Sequence, residues 1–365
     1  MRIECVKEKL ERAVSLISRV ANRHPNLPVL LCLKFEVVEN NLLVSATNLD
    51  LGVIFSIPVK VFKSGLITVP AALISSYLTN LPSEKNLILE VFQGNLRVVG
   101  SKSSTVMKVM PYDEFPSIPS IDGGKTLLID TKEIIKGFTA VSGFTIHSSV
   151  KPELSSVLVY TESDWIYFVA TDSFRLGEKK IKLKKHTDFH ALVPARNIPD
   201  IVRILTDAGD TTRVSFNEHQ ISFSCGAVYM VSRLSEGTFP DYKQIIPSEH
   251  ATTVVVLRED ILQTFKALSV FSDKFNQLHV DIFPREKRFD LSTKNSDLGE
   301  SHHSVQSTLN GEMVEVNFNL RYLLDCMPVF ETDSISLEFN GAGKPLLLRG
   351  VGDSTFLYLV MPMNK

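Results

Sequence analysis

The chain lacks the features that would assign it to a membrane or to an export pathway. Its 365 residues contain no apolar run near the roughly 18 residues that a membrane-spanning helix requires. The first residues, MRIECVKEKL, carry charges where a signal peptide needs an apolar segment. The hydrophobic fraction of 44% is nevertheless that of a globular protein. We therefore expect a multidomain, cytoplasmic protein with no membrane association.

Cysteine and net charge are also scarce. The four cysteines, Cys5, Cys32, Cys225 and Cys326, form no CxxC pair, which favours reduced, buried thiols over disulfides or a metal site. The net charge is only −2, so the chain has no overall basic signature. Any contact with nucleic acid must therefore come from cations sorted onto one surface.

What the chain does have is an internal repeat. The string ITVPAALISSYL around Val69 returns as ALVPARNIPDIV around Val193 and as VEVNFNLRYLL around Asn317, in two steps of 124 residues. ATNLDLG, ATDSFRLG and STKNSDLGE follow in nearly the same register, and a Phe-Pro pair recurs at 115 and 239. Pro-rich and Gly-rich segments near 116–126 and 240–253 favour linkers. The predicted domains are 1–122, 123–246 and 247–365.

Each repeat has the pattern helix, hairpin, helix, hairpin. Val6, Leu10, Ala13, Val14, Ile17 and Val20 follow a helical period, and Leu33, Phe35 and Val37 alternate with polar residues as in a strand. Helices are predicted at 5–21, 71–81, 131–142, 195–206, 258–272 and 319–329, the fourth beginning near Pro199. Hairpin turns are predicted at 39–41, at 162–164 and near Pro284. The fold class is α+β, with helices covering antiparallel sheets.

Two short strings resemble catalytic or metal sites. GGKT at 123–126 lacks the upstream glycine of a phosphate-binding loop and lies in a predicted linker. His302 and His303 are adjacent, so on a strand they would point to opposite faces; we expect a solvated loop pair. We therefore predict no catalytic residues, no cofactor and no metal, and a protein that is not an enzyme.

The predicted helices carry the positive charge of this slightly acidic molecule. Their long cationic side chains are the kind that contact phosphate without reading base sequence. These are Lys7, Lys9, Arg12, Arg19, Lys132, Lys136, Arg196, Arg203, Arg258, Lys266 and Arg321. The alternative is that they are ordinary solvated helix faces.

The motifs together resemble one family, the bacterial DNA polymerase III beta subunit, the replicative sliding clamp. The resemblance runs along the whole chain, through NLPVL, ATNLDL, TVPA, FVATDSFRLG, LVPAR, EGTFPDYKQIIP, VNFNLRYLLD and the terminal YLVMPMNK. It implies three copies of the DNA-clamp fold, which close as a six-domain ring in a head-to-tail homodimer around double-stranded DNA. It also implies a non-catalytic processivity factor, associated with the nucleoid, whose partners are the replicative polymerase catalytic subunit, the clamp loader, and repair or translesion polymerases, DNA ligase or mismatch-repair proteins.

The resemblance implies a pocket between the second and third domains that binds linear peptide motifs. The matching positions are Leu154, Thr171, Ser173, Phe174, Arg175, Leu176, Pro240, Gln244, Ile245, Pro345, Val360, Met361, Pro362 and Met363. Such a pocket suits leucine or phenylalanine anchors, with Arg175 orienting a peptide carbonyl or carboxylate. The sequence departs from the family where Gly-His is common, at Ser173-Phe174, and where arginine is common, at Gln244. We expect these changes to alter the preferred motif.

Two further sets of positions come from the same resemblance. The DNA-binding candidates are Arg12, Arg19, Arg23, His24, Lys136, Lys151, Arg196 and Arg203, and the dimer-interface candidates are Met107, Val270 and Phe271. Two other hypotheses stay open. One is a β-rich repeat enzyme with its site at a domain junction, suggested by GGKT and the histidine pair. The other is a peptide-binding scaffold of the same fold that no longer encircles DNA.

Overall fold

A computed structural model describes residues 1–21, 27–82, 84–111, 114–121, 124–146, 148, 150–184 and 187–363. The chain divides into two compact units. Unit 1 contains 1–136 and 193–235, and unit 2 contains 137–192 and 236–365. Each unit therefore combines parts of two successive repeats. In the described residues no helix has both the length and the apolar character needed to cross a bilayer.

Six α-helices are present among the described residues: α1 (Lys7–Ala21), α2 (Ala71–Asn80), α3 (Thr131–Val141), α4 (Ile198–Thr206), α5 (Arg258–Ser269) and α6 (Leu320–Cys326). They confirm the predicted helices, with shifted ends. Val6 is not helical; it ends a strand and is 37% exposed. The fourth helix begins beside Pro199, which lacks only an N–H that no helix bond would use. The last ends before Pro328, which continues it only as a 3₁₀ turn.

The strands also follow the repeat. Residues 1–110 contain β1 (Arg2–Val6), β2 (Cys32–Val38), β3 (Asn41–Thr47), β4 (Leu51–Pro58), β5 (Lys60–Lys63), β6 (Leu66–Pro70), β7 (Asn86–Phe92), β8 (Asn95–Val99) and β9 (Ser104–Met107). Next come β10 (Lys125–Asp130), β11 (Ser156–Glu162), β12 (Trp165–Thr171), β13 (Arg175–Lys182), β14 (His190–Pro194), β15 (Thr211–Phe216), β16 (Gln220–Cys225) and β17 (Val228–Arg233). The rest are β18 (Thr252–Leu257), β19 (Gln277–Phe283), β20 (Arg288–Asn295), β21 (Gly299–Ser304), β22 (Ser307–Gly311), β23 (Val314–Asn319), β24 (Ser334–Phe339), β25 (Leu346–Gly350) and β26 (Phe356–Val360).

The three predicted hairpin turns have the same backbone conformation at equivalent positions of the repeat. Glu39, Ser163 and Lys287 stand 124 residues apart and have φ values of 52°, 53° and 53°. A left-handed residue is needed there because each tight turn must reverse the chain between two paired strands. All three predicted turns are therefore confirmed, the third at Lys287 just after Pro284.

Four sheets contain these strands. Their orders are β5-β1-β7-β8-β9, β10-β15-β16-β17-β4-β3-β2-β6, β14-β11-β12-β13-β26-β25-β24-β18-β22 and β21-β20-β19-β23. In the second sheet β17 pairs with β4, and in the third β26 pairs with β13. We call these pairs the first joint and the second joint. Each links strands of two successive repeats, the first joint within unit 1 and the second within unit 2.

Each sheet is covered by helices on its apolar face, as the alternating pattern predicts. Helix α1 buries Leu10, Ala13, Val14, Ile17 and Val20, the residues that the helical period had selected. All four cysteines are free and buried, as expected. Burial raises the pKa of Cys5 to about 12 and that of Cys32 to about 11, because a thiolate would lose its hydration there.

Candidate functional site

The turn that precedes each joint has the same hydrogen bonds. In the first, the Asn48 Oδ1 atom accepts the backbone N–H groups two and three residues later, at 3.1 and 2.8 Å. In the second, the Asp172 Oδ1 atom accepts the corresponding pair, both at 2.9 Å. Leu49 and Ser173, at the same repeat position, have φ values of 74° and 78°. The repeated ATN and ATD strings are thus a turn motif that joins two paired strands, β3 to β4 and β12 to β13.

At the second joint this turn presents Arg175, whose guanidinium is enclosed by protein. Its Nε donates to Asp172 at 2.8 Å, its Nη1 to Asp325 at 2.7 Å and its Nη2 to the Gly143 carbonyl at 3.3 Å. The guanidinium also lies 4.4 Å from the centre of the Tyr322 ring. Burial lowers the pKa of Arg175, but the bonds to Asp325 and Asp172 outweigh burial and raise it overall. The structure therefore shows Arg175 bracing this turn; direct contact with a ligand stays a prediction.

Beside the second joint lies a cavity of about 630 Å³. Four predicted pocket residues line it: Gln244, Ile245, Pro345 and Met361. Sequence reasoning missed the rest of the wall, Ile246, Pro247, Ser248, Glu249, Asn340, Gly343 and Lys344. These residues come from the connecting segment after β17 and from the turn between β24 and β25, which have no common string. Only the tertiary fold brings them together.

The other predicted pocket residues divide by exposure. Phe174 is 60% exposed, Ser173 and Pro240 are also exposed, and Pro362 and Met363 are half-buried. The Met361 N–H donates to the Phe174 carbonyl at 2.7 Å, so the terminal segment and the turn meet. Leu154, Thr171, Leu176 and Val360 are buried. These four are shielded from solvent, and their contact with a bound peptide stays a prediction.

The connecting segment is fastened to the sheet by a tyrosine network that the sequence did not reveal. The Tyr242 and Tyr160 hydroxyls are 2.7 Å apart, and the Tyr242 hydroxyl donates to Glu178 Oε2 at 2.5 Å. The neighbouring Lys243 ammonium pairs with Glu162 at 2.7 Å. Burial, followed by the charge of Glu178, raises the pKa of Tyr242 well above its ordinary value. The network fixes the backbone that presents Gln244 and Ile245.

Comparison with protein-family models decides the family. Residues 1–119, 129–241 and 243–364 match the N-terminal, central and C-terminal domains of the DNA polymerase III beta subunit. The chain belongs to the DNA polymerase III beta subunit family. A relative called beta sliding clamp, from Synechococcus elongatus, is 28% identical over 372 residues, with 100% of this chain and 99% of the relative covered.

Solved structures of this family have the same fold. The subunit beta of Pseudomonas aeruginosa superposes with a TM-score of 0.95 at 23% identity, over 100% of both chains. The DNA polymerase sliding clamp of Bacillus subtilis gives 0.95 at 23% identity, over 100% of this chain and 99% of that one. The α+β class predicted from the repeats and the clamp fold implied by the resemblance are therefore confirmed.

The candidate DNA-binding residues of this family member occupy different settings. Arg12, Arg19, Lys136, Lys151 and Arg196 are exposed, and Arg196 pairs with Asp50 at 3.0 Å. Arg203 is half-buried: it pairs with Asp200 at 3.0 Å and donates to the Leu16 carbonyl at 2.5 Å. Arg23 and His24 lie outside the described residues. Arg12 donates to the Asp207 carbonyl at the end of α4, and Arg203 likewise links α4 to α1. Contact of any of these residues with DNA stays a prediction.

One candidate dimer residue lies at a sheet edge, and the other two lie just after a helix end. Met107 is buried at the end of β9, an edge strand of the first sheet, and Val270 is 64% exposed just after α5, with Phe271 half-buried.

The expectation of a loop at His302 and His303 is wrong: both lie in β21, an edge strand of the fourth sheet. They stand opposite Ser292 and Leu291, so they point to opposite faces. Among the described residues no metal-binding cluster is found.

The prediction that the GGKT string lies in a linker is wrong for its last two residues. Lys125 and Thr126 are not in a linker; they begin β10, where Lys125 pairs with Phe216. Gly123 lies outside the described residues. A phosphate-binding loop requires the reverse order, with the lysine at the start of a helix after the strand. The described part of this string therefore does not have that geometry.

Proposed function

We propose that this chain acts as a DNA sliding clamp, the processivity factor of a bacterial replicative polymerase. It encircles duplex DNA without reading sequence and holds other proteins on it. The family membership supports this role, and so does one feature of the sheets, the pairing of strands across successive repeats.

Each joint pairs a strand that follows the turn motif with a strand near the end of another repeat. One strand of each of these two kinds is not paired across repeats in the described structure. The two joints pair β4 with β17 and β13 with β26. At a spacing of 124 residues, β9 corresponds to β17, and β21 follows the third copy of the turn motif as β4 and β13 follow theirs. Both β9 and β21 lie at sheet edges in the described structure. A second copy that pairs its β9 with β21 would repeat the joint, and two such pairings close a ring of six domains.

The domains proposed for this ring are 1–122, 123–246 and 247–365. Met107, Val270 and Phe271 are proposed to lie at the contact between copies. Met107 has the same repeat position as Val231, which faces Gly52 across the first joint. An apolar residue is suited to that position because it would pack against the partner strand's sheet.

A closed ring explains how a protein with a net charge of −2 can stay on DNA. Topology retains the duplex, so the cationic helix residues need only weak, sequence-independent phosphate contacts, and such contacts permit sliding. Arg12, Arg19, Arg23, His24, Lys136, Lys151, Arg196 and Arg203 are the proposed contacts. No single one is expected to be essential.

Client proteins are proposed to dock linear peptides at the pocket beside the second joint. The clients are the polymerase catalytic subunit, the clamp loader, and repair polymerases, ligase or mismatch-repair proteins. The apolar wall of Ile245, Pro345 and Met361 suits leucine or phenylalanine anchors. Unchanged affinity for an anchor peptide in both Met361→Ala and Ile245→Ala, measured by fluorescence anisotropy, would move the docking site elsewhere; Leu128→Ala, exposed on β10, is the matched control.

Loading onto DNA tests the ring. We expect the loaded protein to stay on nicked circular DNA at salt concentrations that abolish simple binding, and to leave the same DNA once it is linearised. Equal, salt-sensitive release from both forms would exclude topological retention.

Sedimentation distinguishes the clamp from a scaffold that no longer encircles DNA. A dimer is expected for the natural chain, and Leu298→Lys, 63% exposed beside β21, is expected to shift it toward monomer. The control is Leu128→Lys, which introduces the same charge at a residue 62% exposed on β10. A monomeric natural chain at micromolar concentration would favour the scaffold.

A further inference from the structure

The outer face of the first sheet carries a group of cations and aromatic rings that the clamp function leaves unexplained. We call it the cation-aromatic patch, and it consists of Arg2, Lys60, Phe62, Lys63, Glu90, Phe92 and Arg97. Cross-strand pairing places four of these in one row over β5, β1, β7 and β8: Lys63 opposite Arg2, Arg2 opposite Glu90, and Glu90 opposite Arg97. Directly paired residues share a face, so the row forms one surface roughly 14 Å wide.

The patch has an excess of positive charge. The carboxylate of Glu90 serves two guanidinium groups: it accepts Arg97 Nε at 2.5 Å and lies 3.6 Å from Arg2 Nε. A second carboxylate, Glu4, stands opposite Lys60 on the same face, is half-buried and accepts Asn86 Nδ2 at 2.8 Å. Glu90 is only 15% exposed, whereas Arg2 is 55% exposed and the two lysines are also exposed. Four cations are therefore set against two partly shielded carboxylates, in a chain whose net charge is −2. The expected partner is an anion.

Two phenylalanine rings lie among these cations. Phe62 is 51% exposed and Phe92 is 38% exposed, although both side chains are fully apolar. The Arg97 guanidinium lies 4.2 Å from the centre of the Phe92 ring, and Lys60 and Arg2 lie 5.2 and 5.5 Å from that of Phe62. A bulge between Arg2 and Ile3 sets Phe62 out of the regular pairing. Each ring thus offers a stacking surface next to a charge.

We propose that the cation-aromatic patch binds single-stranded nucleic acid. Exposed rings stack on unpaired bases, and the adjacent lysines and arginines contact the phosphates between them. A duplex keeps its bases stacked internally and would use only the cations. An acidic peptide would also use only the cations, so the rings favour the single strand.

Anisotropy of a labelled oligothymidylate, with the full-length protein and no loading factor, tests this site. Phe62→Ala/Phe92→Ala keeps every charge and is expected to weaken binding about tenfold or more, through lost stacking. Lys60→Gln/Lys63→Gln is expected to reduce the salt dependence by about 1.4 in the log-log slope, as for two phosphate contacts. Glu90→Gln removes the carboxylate between the two arginines and is expected to tighten binding. Arg213→Gln and Leu128→Ala, both exposed on strands of the same unit, are the matched controls.

Several results would overturn the proposal. These are no binding at low salt, equal binding of a duplex of the same length, loss of affinity in the lysine variant but not in the phenylalanine variant, or equal competition by polyglutamate. The last two would indicate an acidic protein partner. Because the oligonucleotide is linear and unloaded, failure here leaves ring closure untouched, and failure of topological retention leaves this site untouched.

Discussion

The first and second joints have the same backbone pairing but fill it differently. The first pairs Gly52 with Val231, and the second pairs Leu176 with Leu359 at the same repeat position. A Cβ atom on Gly52 would lie 2.8 Å from Cγ2 of Ile118, so the segment after Phe115 occupies the space that a side chain would fill. At the second joint the leucines occupy it, and the connecting segment presents Gln244 and Ile245 to the open cavity. The first joint therefore keeps only a smaller cavity of about 220 Å³, lined by Gly52, Ile118 and Val231 among others, against about 630 Å³ at the second.

The residues just before Gly52 and Leu176 also differ between the two joints. Leu51 is fully buried at the first joint, and Arg175 has its place at the second. A buried guanidinium is stable only with partners, which Asp172 and Asp325 provide. The first joint has Asn48 where the second has Asp172, since a buried leucine needs no counter-charge. The comparison teaches that a repeated backbone can hold two chemistries if the neighbouring residues change together.

The largest effect is expected from giving the second joint the residue of the first. Arg175→Leu leaves the Asp172 carboxylate without its cationic partner and should lower the free energy of unfolding by about 3 kcal/mol. Asp172→Asn/Arg175→Leu restores the Asn-and-Leu combination of the first joint and should recover at least half of that loss. Chemical denaturation of the two variants, with Arg213→Leu as an exposed control, measures this coupling. Equal stability of single and double variants would break the comparison.

The converse change, Gly52→Leu, should destabilise the first joint by about 1 to 3 kcal/mol because Ile118 must leave its place. Adding Ile118→Ala should recover part of the loss by making room. Thermal unfolding compares both variants with Gly343→Ala, a position where a Cβ meets nothing within 4 Å. A neutral Gly52→Leu would show that Ile118 does not restrict the space beside Gly52.

Alkaline pH should act on the second joint through Tyr242. Burial and Glu178 raise its pKa in the folded protein, so the protonated phenol contributes stability that is fully present below the unfolded pKa of about 10. That contribution is lost as pH rises above about 10, at up to about 1.4 kcal/mol per pH unit. Tyr242→Phe should flatten the pH dependence of unfolding over this range. An unchanged pH dependence of the unfolding free energy in Tyr242→Phe would show that the tyrosine network does not cause it.

The smallest expected effect is the same at both joints. Leu49→Gly and Ser173→Gly each relieve a left-handed residue and should raise the stability by up to about 1 kcal/mol. Thermal unfolding of the two variants tests whether the turns are equivalent. A gain at one turn and a loss at the other would show that their shared hydrogen bonds hide different strain.

Much of the fold was predictable from local patterns. The 124-residue spacing, the six helices and the hairpin turns depend on periodicity, proline and turn-forming residues that lie close together in the chain. The pocket was predictable only in part, through resemblance. Lys344, Asn340 and Glu249 belong to segments far apart in sequence, and no local string indicates that they face one cavity. The partners of Arg175 were missed for the same reason, since Asp325 is 150 residues away.

The sequence by itself determined the repeat, the element types and the residues that each helix buries, because these follow from side-chain period and backbone preference over a few residues. Tertiary structure alone decided that Ile118 packs against Gly52, that Tyr242 hydrogen-bonds to Glu178 and that Arg2, Glu90 and Arg97 share one row. These contacts depend on strand register and on packing between distant segments. Such long-range contacts depend on the volume and charge available in the folded core. No short stretch of sequence contains that information.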